Sequence, residues 1–313
     1  MRIKMTIEPV TAFATPLLGE ILFGQLCWAI RQAQSDAKLT ELLDGYCQGS
    51  AFAVISDAFP SGYLPLPSLP NTYWQEEDES LRKDIKARHW IGLSETSRAL
   101  KTWRHVAKKD SELEKDHFAR VSDVRTHNSI HRTTLTTGNS PAFAPFNVTQ
   151  TWFAPHTLLD IYAVIDSSRF SLEHFKEAFI QIGQTGYGQD ASSGLGKFVV
   201  KTFSEVPSNP TAQHYMTLAS CSPVGMSVLS EQCFYKIKTH FGRHGDVLAN
   251  YPVPFKKPIL LAQSSAVITL EKPQAIDYFG QGIAGISHVQ PAAVHQGYTP
   301  VIALPALKER AHE

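Results

Sequence analysis

The sequence predicts an α+β fold in which a sheet-and-helix domain is followed by a strand-rich one. Apolar residues alternate with polar ones at Ile3, Met5 and Ile7, the period of a strand with one buried face. Two other runs recur at helical spacing: Ile21, Leu22, Leu26, Cys27 and Ile30, then Leu172, Phe175, Ala178, Phe179 and Ile182. In the second half the apolar runs are short and punctuated by proline and glycine, the pattern of strands and turns.

Taken in order, a strand over residues 3–10 ends before Pro16, and an amphipathic helix begins at about Gly19. Residues 51–59, AFAVISDAF, read as a second, largely buried strand. Pro60, Pro65, Pro67 and Pro70 then require irregular or extended backbone. From about 74 to 124 the composition turns to dense charge of both signs, which reads as an insertion between strands rather than a separate core. Within it Arg98, Lys101, Arg104 and Lys108 are spaced to share one helix face, beside an apolar stripe of Leu100, Trp103 and Ala107. Such a face is either solvated or turned toward phosphate.

Residues 124–137, VRTHNSIHRTTLTT, are polar and bring Arg125, His127, Asn128, His131 and Arg132 close together in sequence. Residues 138–145 read as a loop, and Trp152, Phe153 and residues 158–165 as strand. Ser171 is positioned to cap the second helix, and Phe198, Val199, Val200 and Phe203 form a strand after it. With the insertion set aside, the order is strand, helix, strand, strand, helix, strand. That is the split βαβ, ferredoxin-like order, whose antiparallel sheet is a common RNA platform. In the second half, residues 215–219, 233–240, 258–261, 267–270 and 301–304 read as strands with few strong helices. A distorted second copy of the same unit is one arrangement they allow.

Lys and Arg total 29 and Asp and Glu 29, so the chain is no general polycation, and any nucleic-acid contact rests on local patches. No basic segment leads into an apolar one at Met1, and no apolar run approaches a membrane span; the expectation is a cytoplasmic protein without membrane contact. Cys27, Cys47, Cys221 and Cys233 show no CxxC pairing and read as reduced thiols rather than a zinc site or disulfide framework.

The densest motif is GYGQDASSGLGK, residues 186–197. Gly186, Gly188, Gly194 and Gly196 allow close backbone approach, Ser192 and Ser193 add hydroxyls, and Lys197 closes the run. Successive N–H groups in such a loop can cradle an anion. A nucleotide-binding loop runs strand, loop, helix, whereas here the order is helix, loop, strand. Ala191 also stands where the first P-loop glycine belongs and Phe198 where its Ser/Thr belongs, which excludes an NTPase. Ser192 and Ser193 lie outside G-x-S-x-G and precede a strand, against a hydrolase nucleophile. His127 and His131 are four apart, as on one helix face, but without HExxH or a third ligand no metal is expected. With Lys197 these histidines could serve acid–base cleavage of RNA, or simply bond backbone and phosphate.

These residues carry a resemblance. GYGQDASSGLGKF, between the second helix and the fourth strand, is similar to the glycine-rich loop of the RAMP superfamily of CRISPR effector subunits, and LFGQLCWAI resembles its first helix. FPSGYLPLP followed by KARHWIGL, then VRTHNSIHRTT and HQGYTPVIALP, resemble passages of the crRNA-capping group, most of all the fourth Csm subunit of type III-A complexes.

The resemblance implies a non-catalytic RNA-binding subunit of an antiviral ribonucleoprotein effector complex, with no cofactor and no metal. It would grip the 5′ handle of a crRNA and contact the large subunit and the first backbone subunit. It implies a RAMP ferredoxin-like domain over 1–205, with the insertion at about 74–124 and a thumb-like segment at about 125–150, then a strand-rich second domain over 206–313. Gly186, Gly188, Ser192, Ser193, Gly194, Gly196 and Lys197 would hold RNA backbone. Phe13 and Thr15 would lie beside that loop, and Gln25 and Arg31 would face the RNA from the first helix. His127, Asn128, His131 and Arg132 would lie at the base of a projecting hairpin or thumb, with Arg125 adding to the RNA contacts. Relatives of the group imply two alternatives. One is a metal-independent ribonuclease that processes precursor crRNA, with His127 or His131 as acid or base. The other is a type I or type IV capping subunit that meets target DNA through Arg98, Lys101, Arg104 and Lys108.

Overall fold

The computed structural model describes residues 1–75, 80, 82–114, 118–137, 144–245, 248–249 and 251–309. The first half runs β1 (Arg2–Pro9), α1 (Gly19–Ala33), α2 (Asp36–Leu43), β2 (Ala53–Pro60), β3 (Tyr63–Pro65), α3 (Arg82–Lys86), β4 (Trp90–Gly92), α4 (Trp103–Val106), β5 (Arg120–His127), β6 (Phe146–Phe153), β7 (Leu159–Ile165), α5 (Leu172–Thr185) and β8 (Phe198–Glu205). The second runs β9 (Ala212–Thr217), β10 (Ile237–His240), β11 (Ile259–Ala262), β12 (Val267–Gln274), β13 (Tyr278–Gly280) and β14 (Tyr298–Ala303). The result is a mixed α/β fold of antiparallel sheets with helical insertions.

The apolar alternation at the start of the chain becomes β1, with Ile3, Met5 and Ile7 buried. β1 lies between β7 and β8, and β2 flanks β7, so the order is β2-β7-β1-β8 with every pair antiparallel. Leu22, Phe23, Leu26 and Ile30 of α1 and Phe175, Phe179 and Ile182 of α5 share one core with those three β1 residues. Fully burying a side chain of this size contributes about 1.5–3 kcal/mol, so the two apolar helix stripes dock both helices. The Ser171 hydroxyl accepts from His174 N at 3.2 Å and caps α5. Leu18 offers α1 no such cap; the Asp57 carboxylate does so from β2, its Oδ1 accepting from Gly19 N at 2.8 Å. Asp57 reaches that helix because β2 bulges between Ile55 and Ala58.

A second four-stranded antiparallel sheet, β12-β9-β14-β13, lies against the first. It covers the outer edge of β2. Asp57 N donates to Leu218 O at 2.8 Å. The Gln296 amide accepts from Ile55 N at 2.9 Å and donates to Ile55 O at 2.8 Å. An uncovered edge here would be free to pair with another chain. Phe59 and Tyr162 of the first sheet, Met216 and Val267 of the second, and Trp74, Leu100 and Trp103 share a further core. The buried Glu20 carboxylate of α1 meets Lys238 Nζ of β10 at 2.7 Å, a second tie between the halves.

Three sequence expectations are corrected here. The second half carries no α-helix among the described residues, so its strands do not form a second two-helix unit. Residues 98–108 are not one helix: the 3-10 turn Leu100–Thr102 runs into the short α4, and Ala107 is already extended. Burial of Trp103 holds this knot, its Nε1 donating to Arg98 O at 3.0 Å, and Lys108 bridges to Trp90 as a strand would. Residues 120–127, divided by the sequence reading between insertion and thumb, are a single strand, β5, paired along its length with β6. Val121, Val124, Phe146 and Trp152 on this ribbon are exposed, so it projects from the body. The expected loop at 138–145 lies, for residues 138–143, outside the described residues. Among the described residues no helix is long and apolar enough to cross a membrane.

Candidate nucleic-acid interface

The glycine-rich segment joins α5 to β8 and is stitched to the chain that follows β1. Tyr187 is buried, donating its hydroxyl to Pro16 O at 2.7 Å and accepting from Leu18 N at 3.1 Å. Gly196 N donates to Ala12 O at 2.8 Å, Tyr187 N to Gly196 O at 3.0 Å, Gln189 N to Thr15 Oγ1 at 2.9 Å and Lys197 N to Thr11 Oγ1 at 2.9 Å. The glycines are what allow this. At Gly196, φ is +71° and an added Cβ would sit 2.1 Å from Tyr187 O; at Gly188 it would sit 2.6 Å from Thr15 Cβ.

This stitching takes up part of the backbone that could meet an anion. Ser193, Gly194 and Leu195 also spend their N–H groups on backbone oxygens of the loop itself. The consecutive N–H groups of Asp190, Ala191 and Ser192 find no acceptor among the described residues. They head the 3-10 turn Ala191–Ser193, with Ser192 and Ser193 exposed and Lys197 half-buried nearby in sequence. Open N–H groups, two hydroxyls and an ammonium suit a phosphodiester backbone.

The structure brings Phe13 and Thr15 to this loop. The Phe13 ring lies between Tyr187, at 6.2 Å, and Phe153, at 5.8 Å, and its backbone bridges Thr151, so it joins the loop to the root of the ribbon. Gln25 is half-buried on α1. Arg31 sits in the last turn of α1, about 18 Å along the helix from its start beside Tyr187. It is paired with Asp36 and stacked 5.1 Å from the Trp28 ring, so it is not gathered to the loop.

His127, Asn128, His131 and Arg132 lie at the far end of the ribbon, not at its base. Phe13 bridges the ribbon at Thr151, opposite Ser122, and His127 is five residues further along, roughly 17 Å away at strand rise. The His127 ring stacks on Phe146 at 5.6 Å, His131 Nδ1 faces Thr134, and Arg125 pairs with Asp123 at 3.0 Å. Nothing in this geometry aligns two histidines on a common reacting atom.

The four basic residues of the insertion are scattered over turns. Arg98 pairs with Glu95, Arg104 stacks 4.6 Å from Trp74 and reaches Asn71, and Lys108 donates to the Tyr63 hydroxyl at 2.7 Å. Lys101 is exposed on the 3-10 turn Leu100–Thr102. Among the described residues no group of three or more His, Cys, Asp or Glu could hold a metal ion.

Sequence reasoning missed a cavity of about 340 Å³ beside Phe13, walled by aromatic rings and by Asp57. Burial and the nearby Glu20 push the Asp57 carboxyl up to about 7. The one available signal was a carboxylate inside the largely apolar run of β2.

By fold and site, then, the chain is a two-sheet α/β protein with a projecting ribbon and a glycine-rich loop stitched to the segment after β1. Solved structures share this fold over nearly the whole length. A chain in the crystal structure of a Csm1–Csm4 cassette in complex with pppApA has 17% identity and a TM-score of 0.59, covering 97% of this chain and 98% of that one. A chain of the Csm1–Csm4 cassette in complex with cA3 has 19% identity and a TM-score of 0.57, covering 97% and 99%. A chain of the Csm3–Csm4 subcomplex in the type III-A CRISPR-Cas interference complex has 12% identity and a TM-score of 0.56, covering 98% and 100%. Csm4 is the component these assemblies have in common. No family model and no curated protein sequence matches the chain.

Proposed function

We propose that this chain is a non-catalytic, RNA-binding subunit of a CRISPR ribonucleoprotein effector that caps the crRNA 5′ handle and bridges a large subunit and a backbone subunit. The carrying observation is the end-to-end likeness to chains from both a Csm1–Csm4 cassette and a Csm3–Csm4 subcomplex. The strand order β2-β7-β1-β8, with α1 and α5 in the same core, supports reading the first half as the ferredoxin-like unit of RNA-binding proteins. The open N–H groups at Asp190–Ser192 and the side chain of Lys197 are the parts of the glycine loop that would meet RNA backbone. Zero net charge fits a subunit that places limited phosphate contacts within large protein interfaces. Among the described residues the ribonuclease alternative has no paired acid and base to rest on, and the DNA alternative has lost the helix face that motivated it.

The test is purification of the tagged chain from its own cells and sequencing of the RNA that accompanies it. Small RNAs with one constant 5′ end followed by variable sequence are expected, together with two partner subunits. A folded chain that carries partners but no such RNA would overturn the assignment.

A further inference from the structure

The small sheet of β10 and β11 ends in an unpaired edge. Ala262 of β11 bridges Cys221 on one side, and β10 is the outermost strand on the other. Gln263 N donates to Lys236 O at 2.8 Å, so with a period of two the ladder to β11 runs through Lys238 and His240. The N–H and C=O groups of Ile237 and Thr239 therefore point away from β11, and among the described residues they meet no backbone partner. Such an edge is a template for one more strand.

The side chains beside this edge are apolar and wet. Ile237, Thr239 and Phe241 alternate onto one face, with Leu260 opposite Thr239. Ile237 is 70% exposed, Leu260 67% and Phe241 66%. Phe255 is exposed as well, bridging Arg243 where the ribbon continues, with the guanidinium 5.9 Å from its ring. Single exposed apolar residues are ordinary, whereas a group of them on one ribbon marks an interaction surface. The opposite face is anchored: Leu261 is buried and Lys238 meets Glu20.

Charge narrows the occupant. Residues 233–270 carry Lys236, Lys238, Arg243, Lys256 and Lys257 against a single acid, Asp246, in a chain of zero net charge. Lys236, Arg243 and Lys257 are exposed. A second copy of the chain pairing antiparallel here would set Lys236 against Lys238 if centred on Ile237, or Lys238 against itself one residue on, and like charges directly opposite destabilise a strand pair. Nucleic acid would meet the cations but leave the outward C=O groups and the aliphatic Ile237 and Leu260 unmatched.

We propose that β10 receives an acidic, extended segment of another protein as an added strand, with apolar residues beside Ile237 and Phe241 and carboxylates near Lys236 and Arg243. Main-chain pairing supplies affinity and the alternating side chains supply selection. The lysines turn away strands that are not acidic. The inference goes beyond the RNA reading above and needs no RNA contact.

The experiment uses the complex purified from the chain's own cells. With Thr239 replaced by the photo-crosslinker p-benzoylphenylalanine, irradiation should join it to a stretch of about six residues in another polypeptide, apolar at alternate positions and net negative. In the wild-type complex the amides of Ile237 and Thr239 should exchange hydrogen about ten-fold or more slowly than in the isolated chain. Thr239→Pro removes an outward N–H, a change an edge strand tolerates, and Ile237→Glu sets a carboxylate against the acidic segment. At the wild-type urea midpoint, each variant should recover that polypeptide at about one-tenth of the wild-type yield or less, with the small RNA recovered as before. A crosslink to RNA, to a second copy or to a basic segment overturns the proposal. So does the absence of a protein crosslink or of amide protection, or full recovery of the partner by both variants. A complex that forms the acidic crosslink but carries no small RNA overturns the RNA reading and leaves this surface standing.

Discussion

Two glycines in the same loop, two residues apart, should respond very differently to alanine. Both have positive φ, +93° at Gly194 and +71° at Gly196, so both substitutions carry the left-handed backbone cost of about 1–2 kcal/mol. Reduced freedom of the unfolded chain offsets about 0.4–1 kcal/mol of that. At Gly194 nothing lies within 4 Å of an added Cβ, which leaves a net loss of about 1 kcal/mol. At Gly196 the Cβ would lie 2.1 Å from Tyr187 O and 2.6 Å from Tyr187 N. These are backbone atoms, so no rotamer relieves the clash. Overpacking of this kind costs about 1–3 kcal/mol. The movement also strains Tyr187 N to Gly196 O and Gly196 N to Ala12 O, each bond worth about 0.5–1.5 kcal/mol. Gly196→Ala should therefore lose about 3–6 kcal/mol. Urea unfolding gives both values from the shift in midpoint at constant slope. Equal losses, or a larger one at Gly194, would refute the claim that close approach of the loop to itself, rather than φ alone, requires glycine here.

Three further outcomes are expected. Lys197→Ala keeps the backbone bonds of residue 197 and should unfold at the wild-type urea concentration, while RNA retention falls several-fold and the salt dependence of binding weakens by about one phosphate contact. Glu20→Ala leaves Lys238 without its 2.7 Å partner at a buried joint between the halves and should cost about 3 kcal/mol, read by the same unfolding assay. The third concerns pH. Folded Asp57 holds its proton to about pH 7, whereas an unfolded aspartate releases it near 3.9. Its folded pKa is raised, so the stability it contributes is fully present below about pH 4 and is lost as pH rises through 7. Relative to wild type, Asp57→Asn should gain stability across that window, by at most about 1.4 kcal/mol per pH unit. Comparing the two proteins at each pH removes the contribution they share from His295, which burial holds down to about 3 and which acts in the opposite direction. A difference that does not change between pH 4.5 and 7.5 would show that burial does not raise this carboxyl.

Local patterning made much of the first half legible. The two-residue period of β1, the apolar stripes of α1 and α5, the Ser171 cap and the helix, glycine loop, strand order are each written within a dozen or so residues, because neighbouring side chains alone decide which face is apolar. The glycine loop was visible as composition. The ribbon was not: β5 is exposed along nearly its whole length, and the face that β6 buries carries Gln150 beside Val148, so neither strand has an apolar period to read. Spacing misled at residues 98–108, where a stripe that suits a helix is buried across a turn and a bridge. Only tertiary structure decided which loop amides stay open, because their partners in residues 12–15 are distant in sequence. The same holds for the cavity, whose wall takes rings from Phe13, Phe59, Trp90, Phe118 and Phe153, and for Asp57, turned inward by a bulge. Sequence by itself determined which segments must bury a face. What those faces enclose depends on pairings between distant segments, and pairing energy exists only once the chain has closed those distances.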